Sequence, residues 1–356
     1  MAGPLKIVVD ISANGFGHLA QLAPILEVAK KRWPDSSFIL RTDLDRSICA
    51  EFLRFPFEMG SSPPDPDMRM HGPLLVDADG LYSDYAEIFS DRQNIVGAEA
   101  EKLRALSPHL MITNISVMSV AAARNANIPV VALSSLNWAD VFETYCHDRY
   151  DADAILQWMV DVYSQADLFV LLTPHLPTTW LPNPVSIGSV ARSGTNRRNV
   201  LHDSLPAKHY VLASMGGIPG IQSELTIPKI DDVVWITPPN WALERHDVLS
   251  RQTLDVSFID LMRSVDAIVT KAGYGSVTES AANGTRILYT EREKWCETPI
   301  LEAWMDIHCT ARKIASETLN SGNFAKDLSD LLASPPRRPV ATNGAEEAVA
   351  AIAQLI

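Results

Sequence analysis

Lys271-Ala-Gly-Tyr-Gly-Ser-Val-Thr-Glu279 decides the fold of this chain. It follows the apolar run Asp266-Ala-Ile-Val-Thr270 and precedes Ser280-Ala-Ala-Asn-Gly-Thr-Arg-Ile-Leu-Tyr289, which reads as the end of a helix and then another buried strand. Strand, glycine turn and helix in that order put backbone N–H groups and the positive end of a helix dipole at the mouth of a parallel sheet. Such a place holds phosphate. Glu279 falls about one and a half turns into the helix, near enough to the loop to accept hydrogen bonds from a ribose attached to that phosphate. The expected ligand is a nucleotide. Lys271, just before the loop, reads either as an ordinary surface charge or as a cation that eases the binding of a diphosphate.

A second glycine loop lies near residue 15. Leu5-Lys-Ile-Val-Val-Asp-Ile11 is a short apolar run, Ser12-Ala-Asn-Gly-Phe-Gly-His18 is the turn, and helical spacing at Leu22, Ile25, Leu26 and Ala29 runs until Trp33-Pro34. In this loop, which carries Asn14, the glycines Gly15 and Gly17 permit positive φ and close approach of a ligand. His18 sits at the helix start, where the dipole favours the neutral, proton-accepting imidazole. That suits a general base; helix capping and acceptor binding are the plainer readings of the same residue.

A third loop, Ala213-Ser-Met-Gly-Gly217, follows the strand pattern at 209–213. Alone it is a tight turn. Beside the loop at 271–279 in one sheet, Ser214, Gly216 and Gly217 would add backbone donors that converge on the same diphosphate.

The chain has 356 residues, 47% of them apolar and 21% charged, which is the composition of a globular protein of two domains. Its formal charge of −13 argues against nucleic acid or an anionic membrane as partner, because a general negative field repels polyphosphate. Cys49, Cys146, Cys296 and Cys309 are widely spaced with no C-x-x-C pair, so no zinc site or disulfide framework is expected. No basic leader and no apolar run of about 18 residues is read, so the expectation is a cytoplasmic protein without a transmembrane segment. No metal site and no cofactor is expected either.

Strands are expected at Ser37–Arg41, His109–Thr113, Pro129–Leu133 and Leu168–Leu172, with helices around 46–53, 84–105, 116–126 and 151–165. In the second half, His209–Ala213, Val233–Ile236, Ala267–Thr270 and Arg286–Tyr289 are the strands. The proline-rich 61–73 reads as a long, mobile loop near whatever the first domain binds, and the proline-dense 173–184 as a linker. The fold class is therefore α/β with two parallel sheets, in domains at 1–185 and 186–334, followed by a tail helix within 335–356. Trp138 and Trp241 are the two tryptophans placed to line a sugar or base pocket.

The pairing of the N-terminal Gly-x-Gly-His loop with the C-terminal Gly-x-Gly-x-x-x-x-Glu helix resembles the GT-B glycosyltransferases, and the second half resembles the N-acetylglucosaminyl transferase of peptidoglycan synthesis. Asn14-Gly-Phe-Gly-His18, Asn137-Trp138, Lys271-Ala-Gly-Tyr-Gly-Ser-Val-Thr-Glu-Ser280, Glu297-Thr-Pro299 and Thr342-Asn-Gly344 are similar, in order and spacing, to the glycosyltransferase-like N-terminal region of L-arabinokinases and its stand-alone bacterial relatives. The resemblance implies a GT-B architecture, two Rossmann-like domains facing across a cleft, with the acceptor on the N-terminal side and the nucleotide-sugar donor on the C-terminal side. It implies that Glu279 binds the ribose, that Gly273, Gly275 and Ser276 face the diphosphate, that Glu297 contacts donor sugar hydroxyls and that His18 is the base. No ATP loop of the arabinokinase kinase half is read here, so kinase activity is not implied.

One position departs from the family pattern. Where many GT-B enzymes have an aspartate that orients the histidine, this chain reads Thr113-Asn114. Asn114 can hydrogen-bond the imidazole but cannot stabilise its protonated form by charge, a difference of about one to a few kcal/mol in a dry site. Asp10 and Asp140 are the candidates to substitute. The resulting expectation is a glycosyltransferase that moves a sugar from a nucleotide-diphosphate sugar, a UDP-sugar, to the hydroxyl of a small-molecule or glycan acceptor without metal. The alternatives are a hydrolase or epimerase of nucleotide sugars on the same scaffold, and a non-catalytic nucleotide-sugar sensor.

Overall fold

The computed structural model describes residues 4–66, 68–71, 74–216, 225–241, 243, 245–292 and 294–356. The first sheet comprises β1 (Lys6–Ile11), β2 (Ser37–Arg41), β3 (Glu58–Gly60), β4 (Leu110–Asn114), β5 (Val130–Ser134), β6 (Leu168–Leu172) and β7 (Val185–Ile187), in the order β3-β2-β1-β4-β5-β6-β7. The second comprises β8 (His209–Ala213), β9 (Val233–Thr237), β10 (Val248–Ser250), β11 (Ala267–Lys271), β12 (Arg286–Thr290) and β13 (Ala311–Lys313), in the order β10-β9-β8-β11-β12-β13. Every pairing in both sheets is parallel. The strand order reverses between β1 and β4 in one sheet and between β8 and β11 in the other. These switch points are where open α/β sheets leave a crevice beyond the strand ends.

The expected central strands are present because parallel strands covered by helices on both faces need continuous apolar runs. Residues 7–11 and 110–114 are buried throughout. The strands that sequence reading missed, β3, β7, β10 and β13, are all edge strands of three residues. So short a segment carries no periodicity to read. The helix Trp138–Cys146 was also missed; Asn137 caps it by accepting from Asp140 N at 2.8 Å.

The chain forms two compact units, one of Met1–His71, Val76–Val190 and Asn343–Ile356, the other of Gly72–Leu75 and Ala191–Thr342. The proline-dense 173–184 thus lies inside the first unit, ahead of β7, and is not a linker between units. The terminal helix Gly344–Ile352 is likewise part of the first unit, where it packs on the helix Gly17–Arg32. Gly344 shows why: a Cβ there would lie 2.1 Å from Gly188 O, so only glycine permits the approach. Glu347 Oε2 accepts from Gly188 N at 2.7 Å in the same contact.

Behind β1 the first unit buries a charge cluster. Arg41, 2% exposed, lies 3.3 Å from Asp10 and also pairs with Glu99, while Ser119 Oγ donates to Asp10. Burial pushes the Asp10 carboxyl up to about 7 against the pull of Arg41. Burial likewise raises Asp65 to about 6, opposed by hydrogen bonds from Ser116, Met118 and Val117. A carboxyl held above its unfolded value keeps its proton longer in the native state, so its contribution falls as pH rises from about 4 towards 7. The expected result is a fold that loses stability between pH 5 and pH 7, by up to about 1.4 kcal/mol per pH unit for each group. Denaturant midpoints across that range measure it, and Asp10→Asn should flatten the slope. A midpoint that climbs steadily from pH 5 to pH 7 contradicts the assignment.

Candidate functional site

In the first unit the glycine loop leaves β1 at the switch point. Gly15 takes φ of 92°, and Gly15 N donates to Ala13 O at 2.7 Å. Asn14 is a brace of this loop: Nδ2 donates to Ser12 Oγ at 2.8 Å and Oδ1 accepts from Met68 N at 2.6 Å. Gly17 opens the helix Gly17–Arg32, and a Cβ at Gly17 would meet nothing within 4 Å. The helix has no acid in its first turn and Lys30, Lys31 and Arg32 in its last, so its dipole is opposed only at the far end.

His18 is 7% exposed, and its Nδ1 lies 2.5 Å from Asn114 Oδ1 at the end of β4. The surrounding amides are oriented as one network. Gln21 Nε2 donates to Ser135 Oγ at 2.9 Å, so Gln21 Oε1 accepts, taking Asn114 Nδ2 at 2.9 Å and Ser134 Oγ at 3.2 Å. In this assigned orientation Asn114 presents its oxygen to His18, which pairs with a proton on Nδ1. This is the tautomer a general base needs. Asp140 is engaged by Trp180 Nε1 at 2.8 Å and by Asn137 Nδ2 at 2.7 Å, and Asp10 by Arg41 and Ser119. The aspartates proposed as substitutes have these other duties; Asn114 is the residue that orients the ring, and Gln21, which sequence reading missed, orients Asn114. Trp138 borders the site, its ring 5.7 Å from that of His18.

In the second unit two loops leave neighbouring strands. After β8, Ser214 N donates to Val269 O at 2.9 Å and Gly216 takes φ of 79°. After β11, Ala272 N donates to Thr290 O at 2.8 Å, and Gly273 begins the helix Tyr274–Asn283. Gly273 has extended backbone at φ −153°, and a Cβ there would meet nothing within 4 Å. Neither conformation nor a protein neighbour demands glycine at 273; what its absence of side chain leaves is room before the first amides of the helix, among them those of Gly275 and Ser276. Ser276 Oγ lies 3.4 Å from Thr270 Oγ1. Gly217 lies outside the described residues.

Lys271 is not an ordinary surface charge. It is 5% exposed, and a Cβ on Gly216 would stand 3.2 Å from its Cε and 3.7 Å from its Nζ. Burial, and next the nearby positive charge of Arg292, hold its pKa well below the usual lysine range. Arg292, just beyond β12, is a cation that sequence reading missed; it stacks 4.5 Å over the Trp295 ring. Trp295 Nε1 donates to Glu297 Oε2 at 3.0 Å, so buried Glu297 belongs to the same loop cluster.

Glu279 is 3% exposed and its Oε1 is 2.6 Å from Arg192 Nε. Burial raises its pKa and Arg192 pulls it back. The carboxylate that sequence reading gave to a ribose thus has a guanidinium partner in the protein. Trp241 is 4% exposed and belongs to the hydrophobic core cluster of this unit. Among the described residues no cluster of three or more His, Cys, Asp and Glu could hold a metal ion, and no helix is long and apolar enough to cross a membrane.

No family model matches the chain. It is 20% identical over 260 residues to L-arabinokinase of Arabidopsis thaliana, an alignment covering 72% of this chain and 25% of that protein. The chain thus spans about a quarter of that relative's length. Among solved structures it resembles a UDP-glucosyltransferase from Polygonum tinctorium (13% identity, TM-score 0.59, 100% of this chain and 93% of that one). It also resembles a candidate UDP-N-acetylglucosamine 2-epimerase from Listeria monocytogenes (13% identity, TM-score 0.59, 99% and 96%). The fold is that of the GT-B glycosyltransferases, as the sequence resemblance implies.

Proposed function

From a GT-B fold with a glycine loop at each sheet's switch point, we propose that this protein is a glycosyltransferase acting on a nucleotide-diphosphate sugar, with UDP-sugar as donor. The observation that carries the reading is the room left before the helix at Gly273, together with buried Lys271, which lies close to Gly216 and within the field of Arg292. Lys271, whose protonation burial and then the charge of Arg292 disfavour, is stabilised as a cation by an anion placed beside it. A diphosphate leaving group supplies that anion, and the helix amides add donors where its charge develops. His18, with its lone pair on Nε2, takes the proton of the acceptor hydroxyl.

Glu297 is assigned to the donor sugar hydroxyls, Glu279 to the ribose alongside its bond to Arg192, and Gly273, Gly275, Ser276, Ser214, Gly216 and Gly217 to the diphosphate. The protein is proposed to work in the cytoplasm. A second reading, epimerisation or hydrolysis of a nucleotide sugar, is favoured by the likeness to the candidate epimerase.

Thermal stabilisation by UDP, dTDP, GDP and their sugars selects the donor, because a ligand that binds only the native state raises the midpoint with its affinity. The selected donor is then incubated with and without a metabolite extract while free nucleotide and sugar identity are followed. A transferase releases nucleotide slowly alone and faster with acceptor. Rapid acceptor-independent release, or conversion of the sugar without release, overturns transfer; an intact donor under every mixture makes the protein a sensor.

A further inference from the structure

The first unit holds a pocket beyond the ends of β1, β2 and β4, beside the candidate base. Its polar lining is Ser12, Asp43, Ser62, Asp65, Ser116 and the indole of Trp138, and the rest of the lining is apolar. Among the described residues no lysine, arginine or histidine lines it. Trp138 is 3% exposed and its ring centroid lies 5.7 Å from that of His18, so the pocket and the imidazole share this indole.

One wall of the pocket comes from the proline-rich segment, which sequence reading took to be a mobile loop. Four of its described residues, Ser61, Ser62, Asp65 and Met68, are hydrogen-bonded to the rest of the unit. Arg41 Nε donates to Ser61 O at 3.0 Å, Ser62 Oγ to Asp43 Oδ1 at 2.8 Å, and Met68 N to Asn14 Oδ1 at 2.6 Å. Asp65 takes Val117 N at 2.8 Å, Met118 N at 3.3 Å and the Ser116 hydroxyl. The prolines limit the conformations the segment must give up to hold this course.

The charge balance says what the pocket admits. Asp43 and Asp65 face it, while the Arg41 guanidinium behind is already shared by Asp10 and Glu99. A phosphate or carboxylate brought here meets like charge and no basic side chain from the lining. An ammonium meets two carboxylates and an aromatic face, and neighbouring hydroxyls meet Ser12, Ser62 and Ser116. We propose that this pocket, with room of about 30 Å³, receives the ammonium group of a small polyhydroxylated acceptor, an amino sugar or aminocyclitol, and that Asp65, aided by Asp43, determines that specificity. The word acceptor rests on the transferase reading; the preference for an amine does not.

The test is titration calorimetry at pH 7 on the full chain with D-glucosamine, D-glucose and glucose 6-phosphate as probes, each with and without UDP. Glucosamine should bind at least about tenfold more tightly than glucose, the value of one charge-assisted hydrogen bond, and glucose 6-phosphate more weakly than both. Asp65→Asn and Asp43→Asn should each remove most of the glucosamine preference and leave UDP affinity unchanged. Asp43 is exposed, so its variant decides the matter if Asp65→Asn fails to fold. Glucosamine binding no tighter than glucose, tighter binding of glucose 6-phosphate, or a preference untouched in a folded Asp43→Asn and Asp65→Asn protein overturns the proposal. Failure of UDP to bind, with the amine preference intact, counts against the transferase reading alone.

Discussion

His18→Ala is expected to lower turnover by about two to four orders of magnitude, the usual contribution of a positioned general base. Nucleotide affinity should stay within about twofold, since the residues assigned to the donor are carried by the other unit. The hydrogen-bond geometry makes the expectation specific: Asn114 holds the Nδ1 proton, so Nε2 is the nitrogen that accepts. Calorimetry with nucleotide and steady-state rates decide it, and a variant with most of its turnover removes the base assignment. Asn114→Asp is the companion. Its carboxylate should favour the protonated imidazole of His18 through charge, moving the acid limb of the rate profile to higher pH. It also gives up the bond that Asn114 Nδ2 donates to Gln21, so a simple gain in rate is not the expected outcome.

Glu279→Ala is expected to destabilise the second unit by about 3 kcal/mol, the lower end for breaking a buried ion pair, because Arg192 keeps some access to water. The sequence alone points Glu279 to a ribose and names no partner for it within the protein. That partner is Arg192, whose guanidinium meets Glu279 at 2.6 Å where both are largely buried. Glu279→Gln separates the roles: it keeps the shape and an accepting oxygen, so it should fold and permit a clean binding measurement. If the second oxygen serves a ribose, that variant should bind nucleotide about tenfold or more weakly. An unchanged denaturant midpoint in Glu279→Ala would show that the pair is not structural, and unchanged affinity in Glu279→Gln would end the ribose role.

Both results turn on contacts that local sequence cannot display. Asn114 stood out in the sequence as a departure from a family pattern, yet its service to His18 depends on Gln21, and these partners are separated by 96 and 93 positions. Lys271 read equally well as surface charge until β11 placed it under Gly216. Arg292 carried no motif at all. A tryptophan's hydrophobicity does not say where the fold will bury it, and Trp241 joins the core of the second unit.

The amino-acid sequence by itself determined the alternation of buried strands and helices and the three glycine loops that follow strands. It also determined the two-sheet α/β class, because apolar runs, turn glycines and helical spacing act within a few residues of one another. Tertiary structure alone decided the edge strands, the return of Gly344–Ile352 to the first unit, the tautomer of His18, the partner of Glu279 and the docking of Asp65 on the amides of Val117 and Met118. Each of these depends on side chains far apart in the chain meeting at a strand end or a buried face, and their energies arise from desolvation and pairing that exist only once the sheets have formed.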